Sequence, residues 1–450
     1  MQIFNSNELD KNELKKILQK PMLDEVTLGE GAKNKIKETF GKEMTAQEVV
    51  KEIILNIKQK GDEAVFYYTK IIDNTELNKD TLVVSEAEIN AAFSRVSPDL
   101  LDAVKTAIAN VEKFHVEQLP KSWFTEREFG SLLGQKYTPV DRVGIYVPGG
   151  TAVYPSSVIM NAVPARVAGV KEIIMVSPPA KDGTLNDLVL VAAKLAGVTK
   201  IFKVGGAQAI AALAFGTETI PKADKITGPG NIFVTLAKKE VYGYADIDML
   251  AGPSEILIIA DETADPSYVA ADMLSQVEHD VLASSILVTT SSDLAKEVTV
   301  EIEKQLAKLP RQEIAKTALD KNSLIIIAKN LEEAAEFSNE AAPEHLEILT
   351  AEPFALLPFI KHAGAIFLGK YSPEPLGDYI AGPNHVLPTG GSARFYSVLN
   401  VETFMKKSSI ISYTEKALSN VSDKIINLAL AEGLDAHANA VKIRCSKGEK

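Results

Sequence analysis

The sequence has one cysteine, Cys445, so it can form no intrachain disulfide, thiolate zinc cluster or iron–sulfur site. That scarcity fits a reducing compartment, and a cytoplasmic location is the expectation. It also excludes a mechanism that stores an aldehyde or acyl group on sulfur, because Cys445 stands in a charged tail outside any motif. Long apolar runs are missing too. The stretch from Leu324 to Ala328 is far too short to span a bilayer, and the opening MQIFNSNELDKNELKK lacks the basic head and apolar run of a signal peptide. Neither a membrane nor an export role is expected. Basic charge is the minority sign, with 48 Lys and Arg against 60 Asp and Glu and a net charge of −12. Such a balance repels phosphate backbones and anionic lipid, so nucleic acid is not an expected partner.

What is present is an ordinary globular composition, 46% hydrophobic and 24% charged, on 450 residues, which excludes a single small module. Residues 1–130 read mainly as helices, in EVVKEIILNIKQKGDEAVFYYTKII and AEINAAFSRVSPDLLDAVKTAIANVEKFHVEQL, and form a helical arm or cap. From Val140 the texture changes to short β-rich runs alternating with helices: RVGIYV, EIIMVS, KIFKV, DKIT, then EILIIA, SILVTT, SLIIIA and AIFLG. That alternation predicts parallel α/β sheets. A break from Tyr242 to Gly252 divides the strands into two similar lobes, 131–250 and 251–378, with a crevice between them. The remainder, 379–450, begins as a Gly and Pro rich loop and ends in a helical tail, SDKIINLALAEGLDAHANAVKIR, long enough to reach a second subunit.

Six histidines occur, and four stand beside acids, amides or turns rather than on plain apolar faces: His279, His345, His385 and His437. Asp265 and Pro266 cap a helix whose buried stripe is Val269, Met273, Leu274 and Val277, leaving Asp272, Gln276 and His279 on another face. Side chains three apart project together, so Gln276 and His279 could bind one metal; a solvated polar face fits the same spacing. Glu344 and His345, in NEAAPEHLEI, lie in a turn before a strand and have the types to activate water and move protons, although acid and histidine neighbours are common in exposed loops. Asp378 and His385 fall in SPEPLGDYIAGPNHVLP, read as a long loop, and Glu432 precedes His437 across the helix-breaking Gly433. Gly-rich turns follow strands at VPGG (147–150), VGGAQAIAAL and TGPGNIFVTLAKK; bare amides opening a helix are anion sites, and Tyr146, Gln208 and Asn231 stand close by. None is a full G-x-G-x-x-G. GAIFLGK near-matches a phosphate loop but is rejected, because Tyr371 replaces its Ser or Thr and AIFL is strand. His115 and His362 read as packing or surface residues.

The ordered series VGIYVPGG, VGGAQAIAALAFGT, ITGPGN, IDMLAGPSE, SQVEHD, APEHLE, GDYIAGPNHVLPT and EGLDAHANAVKIR, from Arg142 to Arg444, resembles the histidinol dehydrogenase family. The resemblance implies two incomplete Rossmann-like lobes in an intertwined homodimer, with the dinucleotide on the first lobe and the metal and catalytic residues on the second. It implies one zinc ion per subunit on Gln276, His279, Asp378 and His437, catalysis by Glu344 and His345, and NAD contacts from Tyr146, Gln208 and Asn231. Substrate contacts are implied for Ser254, Gln276, His279, His345, Asp378, His385, Glu432 and His437. The implied reaction is oxidation of L-histidinol by NAD in two steps, with zinc positioning the substrate. A zinc hydrolase built on Glu344, or a metal or dinucleotide binder without turnover, would be told apart by NAD dependence and by substitution of Glu344 and His345.

Overall fold

The computed structural model describes residues 1–8, 11–18, 28–149 and 153–445, so Gly150 of the VPGG turn lies outside the described residues. The chain divides into two units, Met1–Gln118 with Asp141–Phe404, and Leu119–Val140 with Met405–Lys450. In chain order the strands are β1 (Gln2–Asn5), β2 (Trp123–Arg127), β3 (Ser131–Pro139), β4 (Arg142–Tyr146), β5 (Glu172–Ser177), β6 (Lys200–Lys203) and β7 (Lys225–Thr227). They continue with β8 (Asp246–Ile247), β9 (Glu255–Ala260), β10 (Ser284–Thr289), β11 (Leu324–Ile327), β12 (His345–Leu349), β13 (Ala365–Leu368) and β14 (Met405–Ser412).

The first unit holds two all-parallel sheets, ordered β6-β5-β4-β7-β8 and β1-β11-β10-β9-β12-β13. If β4 to β8 and β9 to β13 are each numbered one to five, both orders are 3-2-1-4-5, and β1 is an added edge strand beside β11. The α/β expectation and the likeness of the two lobes thus rest on one repeated topology. On β9 the residues alternate between two cores. Ile256, Ile258 and Ala260 pack with Val269, Met273 and Val298, whereas Leu257 and Ile259 pack with Leu14, Phe337 and Leu346. Each face is therefore covered, as a parallel sheet with crossover helices requires, and each fully buried Leu or Ile contributes about 1.5–3 kcal/mol.

The expected boundaries shift in four places. Residues 1–130 are not a separate arm: Ile53, Ile57 and Val65 share one core with Ile210, Leu213 and Val234 of the first lobe. The same stretch contains β1, whose pairing Gln2↔Leu324 places it in the second lobe's sheet. A four-residue edge strand is too short to show a period. Ser131–Pro139 does not begin the first lobe but pairs antiparallel with Met405–Ser412 and with Trp123–Arg127, making the small sheet of the second unit. The break at 242–252 contains β8, which completes the first sheet, and residues 379–404 stay with the first unit.

Candidate active site

Strand β12 lies parallel beside β9 with His345 opposite Ile256, so both strands start at the same level. That register brings Glu344 and His345 against Glu255. The Glu255 amide donates to Glu344 Oε2 at 2.9 Å, and His345 Nδ1 donates to the Glu255 carbonyl at 3.0 Å. Contrary to the exposed-turn reading, both side chains are buried, Glu344 at 7% and His345 at 4% exposure. Because a carbonyl can only accept, the bond fixes the proton on Nδ1 and leaves the Nε2 lone pair free. Nε2 has no hydrogen-bond partner and faces Glu374 Oε1 at 3.8 Å and Asp378 Oδ1 at 3.9 Å. Burial holds His345 below its usual pKa and so neutral, and burial also pushes the Glu344 carboxyl well above its ordinary range.

The helix Pro266–Val277, capped by the Asp265 side chain on Ser267 N–H, starts beyond the carboxyl end of β9 and runs back along it. Its 12 residues span about 18 Å, close to the roughly 20 Å of a six-residue strand, so its last turn arrives at the amino ends where His345 sits. Gln276 is in that turn with its Oε1 buried and unpartnered, and His279 follows just beyond the helix, near enough for its charge to depress the His345 pKa. Asp272, on the preceding turn, pairs with Glu347 of β12; burial raises Asp272 to about 6 and raises Glu347 as well.

Asp378 is not in a loop. Residues Glu374–Tyr379 form a short helix, which sets Glu374 and Asp378 four apart on one face. Burial and the neighbouring Asp378 raise Glu374 to about 9; for Asp378 burial acts upward too, but His385 and His345 prevail and lower it to about 2. His385 Nδ1 stands 3.6 Å from Asp378 Oδ1, and Gly390 N–H donates to Glu255 Oε1 at 3.0 Å, which returns the loop after His385 to the strand start. Ser254 immediately precedes β9, its carbonyl accepting from Ser284 N–H at 3.1 Å. Donor atoms of His345, Glu374 and Asp378 lie within 4.8 Å of one another. Of these, Asp378 is one of the expected metal ligands, and its carboxylate and the buried, unpartnered Gln276 oxygen are donors of the type that suits a divalent cation of the zinc class. Glu374 went unread in the sequence because Pro373 and Pro375 disguise it as turn; the Glu-x-x-x-Asp spacing was the available signal.

In the first lobe Tyr146 ends β4, and its hydroxyl accepts from Gly206 N–H at 3.2 Å, where burial pushes the phenol to about 12. Gln208 is fully buried, its Nε2 donating to Asp73 Oδ2 at 3.3 Å and its Oε1 unpartnered. Asp73, raised to about 6 by burial, was not anticipated. Asn231 is exposed and caps helix Ile232–Val241, accepting from Phe233 and Val234 N–H at 3.0 and 3.3 Å. Gly228 follows β7 at φ +113°, and a Cβ there would collide with the Tyr146 carbonyl. Two glycine-led helix starts and the unpartnered Gln208 oxygen fit a dinucleotide. Glu432 and His437 belong to the second unit, where both are exposed: Glu432 ends helix Glu415–Ala431 as its C-cap, and His437 stands in the first turn of helix Asp435–Cys445, after Gly433.

The profile of the family described as Histidinol dehydrogenase matches residues 37–445. The chain is similar to a histidinol dehydrogenase of Heliobacterium mobile, 58% identical over 88% of this chain and 93% of that one. It is 57% identical to a histidinol dehydrogenase of Clostridium acetobutylicum over 95% of this chain and 98% of the other. The crystal structure of histidinol dehydrogenase from Elizabethkingia anophelis superimposes with a TM-score of 0.90 at 40% identity, covering 99% of this chain and 98% of that one.

Proposed function

This chain belongs to the histidinol dehydrogenase family, oxidoreductases of histidine biosynthesis, and from that premise we propose that it oxidises L-histidinol twice with NAD, through bound L-histidinaldehyde, to L-histidine. The observation that carries this reading is His345, held neutral by burial and locked as the Nδ1–H tautomer by the Glu255 carbonyl, with Nε2 unpartnered among carboxylates. Gln276, His279, Asp378 and a His437 would hold zinc. When bound, zinc supplies a fixed point for the substrate's nitrogen donors and NAD supplies the hydride acceptor.

His345 Nε2 takes the hydroxyl proton of the alcohol as the carbon gives up its first hydride, which leaves the aldehyde. Glu344, one oxygen tied to Glu255 N–H, takes a proton from water as that water adds to the aldehyde carbon. The aldehyde oxygen takes back the proton held on His345, which completes the gem-diol and frees Nε2 again. The diol then gives a hydroxyl proton to His345 as its carbon gives up the second hydride, and the resulting carboxylic acid releases its proton to water as the carboxylate. The diol takes the place of a sulfur-bound intermediate, and none of the residues given a role in the reaction is a cysteine. Ser254, His385 and Glu432 are the further substrate contacts, and Tyr146, Gln208 and Asn231 those to the dinucleotide.

A homodimer is part of the proposal, supported by apolar residues on the second unit such as Phe124, Ile411 and Leu428, exposed at 59%, 73% and 67%. A second copy would cover them, and its Glu432 and His437 would complete the site. Among the described residues no helix is long and apolar enough to cross a membrane, and a cytoplasmic location is proposed on the cysteine usage.

The deciding assay counts NADH per L-histidinol consumed by zinc-loaded protein, with and without chelator. Two NADH per histidinol, lost on chelation, is the expected result; no NADH from protein with zinc demonstrably bound overturns the reading. Glu344→Gln should slow aldehyde oxidation more than alcohol oxidation, and equal slowing removes the role given to Glu344.

A further inference from the structure

The first lobe contains a buried ion pair that the reaction above does not use. Lys238, on helix Ile232–Val241, pairs with Asp248, just beyond β8, and their side chains are 3% and 1% exposed. Both partners close on one residue. Lys238 Nζ donates to the Gly228 carbonyl at 3.0 Å, and Gly228 N–H donates to Asp248 Oδ2 at 2.8 Å. Asp248 is itself fixed, its Oδ1 accepting from Met249 N–H at 2.7 Å and its own N–H donating to the Ile226 carbonyl at 3.2 Å.

Stability alone gives no reason for this arrangement. Burying two charges costs several kcal/mol, and a well-packed apolar pair of the same volume is often as stable. An apolar pair could not engage the N–H and the carbonyl of one glycine together. Gly228 is the first glycine of the TGPGN turn, in a left-handed conformation against the Tyr146 backbone, and three residues later Asn231 opens the helix that carries Lys238.

We propose that Lys238 and Asp248 are positioning residues for the dinucleotide: by clamping both polar groups of Gly228 they fix the turn that sets Asn231 and the helix start against Tyr146. This rests on the reading that NAD binds the first lobe. Lys238 acts through Gly228 rather than on a phosphate, since its charge is answered by Asp248 inside the fold.

The test uses the zinc-loaded protein with Lys238→Met/Asp248→Asn, a neutral pair of similar volume, because a single substitution would strand a buried charge. The dissociation constant and KM for NAD should rise by about tenfold or more, while KM for histidinol stays within about twofold and kcat at saturating NAD falls by about threefold at most. Lys238→Gln/Asp248→Asn, which keeps a donor for the Gly228 carbonyl and an acceptor for its N–H, should return NAD affinity to within about threefold of the parent. Gln208→Ala is measured beside them. If Gln208→Ala weakens NAD and the folded Met/Asn pair leaves its affinity unchanged, the positioning role is overturned while the first-lobe reading stands. If neither changes NAD binding, the first-lobe reading falls and the proposal with it. Equal weakening of NAD and histidinol, or no recovery in the Gln/Asn pair, also overturns the proposal. Should the Met/Asn pair not fold, the Gln/Asn pair decides: tenfold weaker NAD binding there defeats it.

Discussion

In the first lobe the groups that can meet a ligand gather where strands end: Tyr146 closes β4, Gly206 opens the helix after β6, and Gly228 follows β7. In the second lobe, built in the same strand order, they gather where strands begin, with Glu255 starting β9 and His345 starting β12. The carboxyl ends of β4 and β7 flank the point where the strand order reverses, and the helix starts gathered there favour an anion. The second lobe uses side chains instead. Its register puts Glu344 and His345 on Glu255, and the returning helix delivers Gln276 and His279 to the same end. Residues 248–254 lead from the carboxyl edge of the first sheet straight into the amino end of β9, so the two unlike ends are neighbours along the chain. A shared topology therefore locates the strand ends and helix starts that can meet a ligand, and does not locate where side-chain chemistry is assembled.

The sharpest way to break that division is to disable one lobe and read the other. His345→Asn should lower kcat by about 10²–10⁴-fold through loss of the proton acceptor, with NAD affinity within about twofold of the parent. Loss of NAD binding in that variant, measured by calorimetry, would mean that the second lobe also builds the dinucleotide site. The complementary change is Gly228→Ala, which forces a left-handed backbone on an L side chain and drives its Cβ into the Tyr146 carbonyl. It should destabilise the protein by about 2–4 kcal/mol in urea unfolding and weaken NAD, while bound metal stays at the level found for the parent. A stability within about 0.5 kcal/mol of the parent would contradict the close approach.

The smallest expected effect concerns a contact between the lobes. His115 is fully buried, its Nδ1 donating to the Val111 carbonyl at 2.7 Å and its Nε2 facing Asn384 Nδ2 at 3.4 Å. Asn384 also donates to the Met160 carbonyl at 2.7 Å, which ties the loop carrying His385 to a first-lobe helix. Burial lowers the His115 pKa, so below about 6.5 the unfolded chain binds a proton that the folded chain resists. Stability from this site is present above that value and is lost as pH falls toward the depressed folded value. His115→Gln should flatten the acid limb of the stability profile by about 1 kcal/mol or less. An unchanged slope would show that His115 does not titrate on unfolding.

Strands with a buried alternating or continuous apolar run, such as EILIIA and EIIMVS, were legible in the sequence, as was the capped helix at Asp265 and Pro266. β8, with two residues, and β1, with four, lacked the length to show a period, and the sheet of β2, β3 and β14 joins segments nearly three hundred residues apart. Candidate residues were legible by type: histidines beside acids, a Gln three before a His, glycines after strands. Glu374 was hidden between prolines, and nothing near Lys238 or Asp248 in sequence points to Gly228. By itself the sequence determined the α/β class, the succession of most of the parallel strands and the residue types available for proton transfer, because these depend on local periodicity and side-chain chemistry. Only the tertiary structure decided that His345 is buried with Nε2 free, that Glu374 joins Asp378 beside it, and that an ion pair grips one glycine peptide. Those outcomes depend on register and on which distant groups burial forces to satisfy one another.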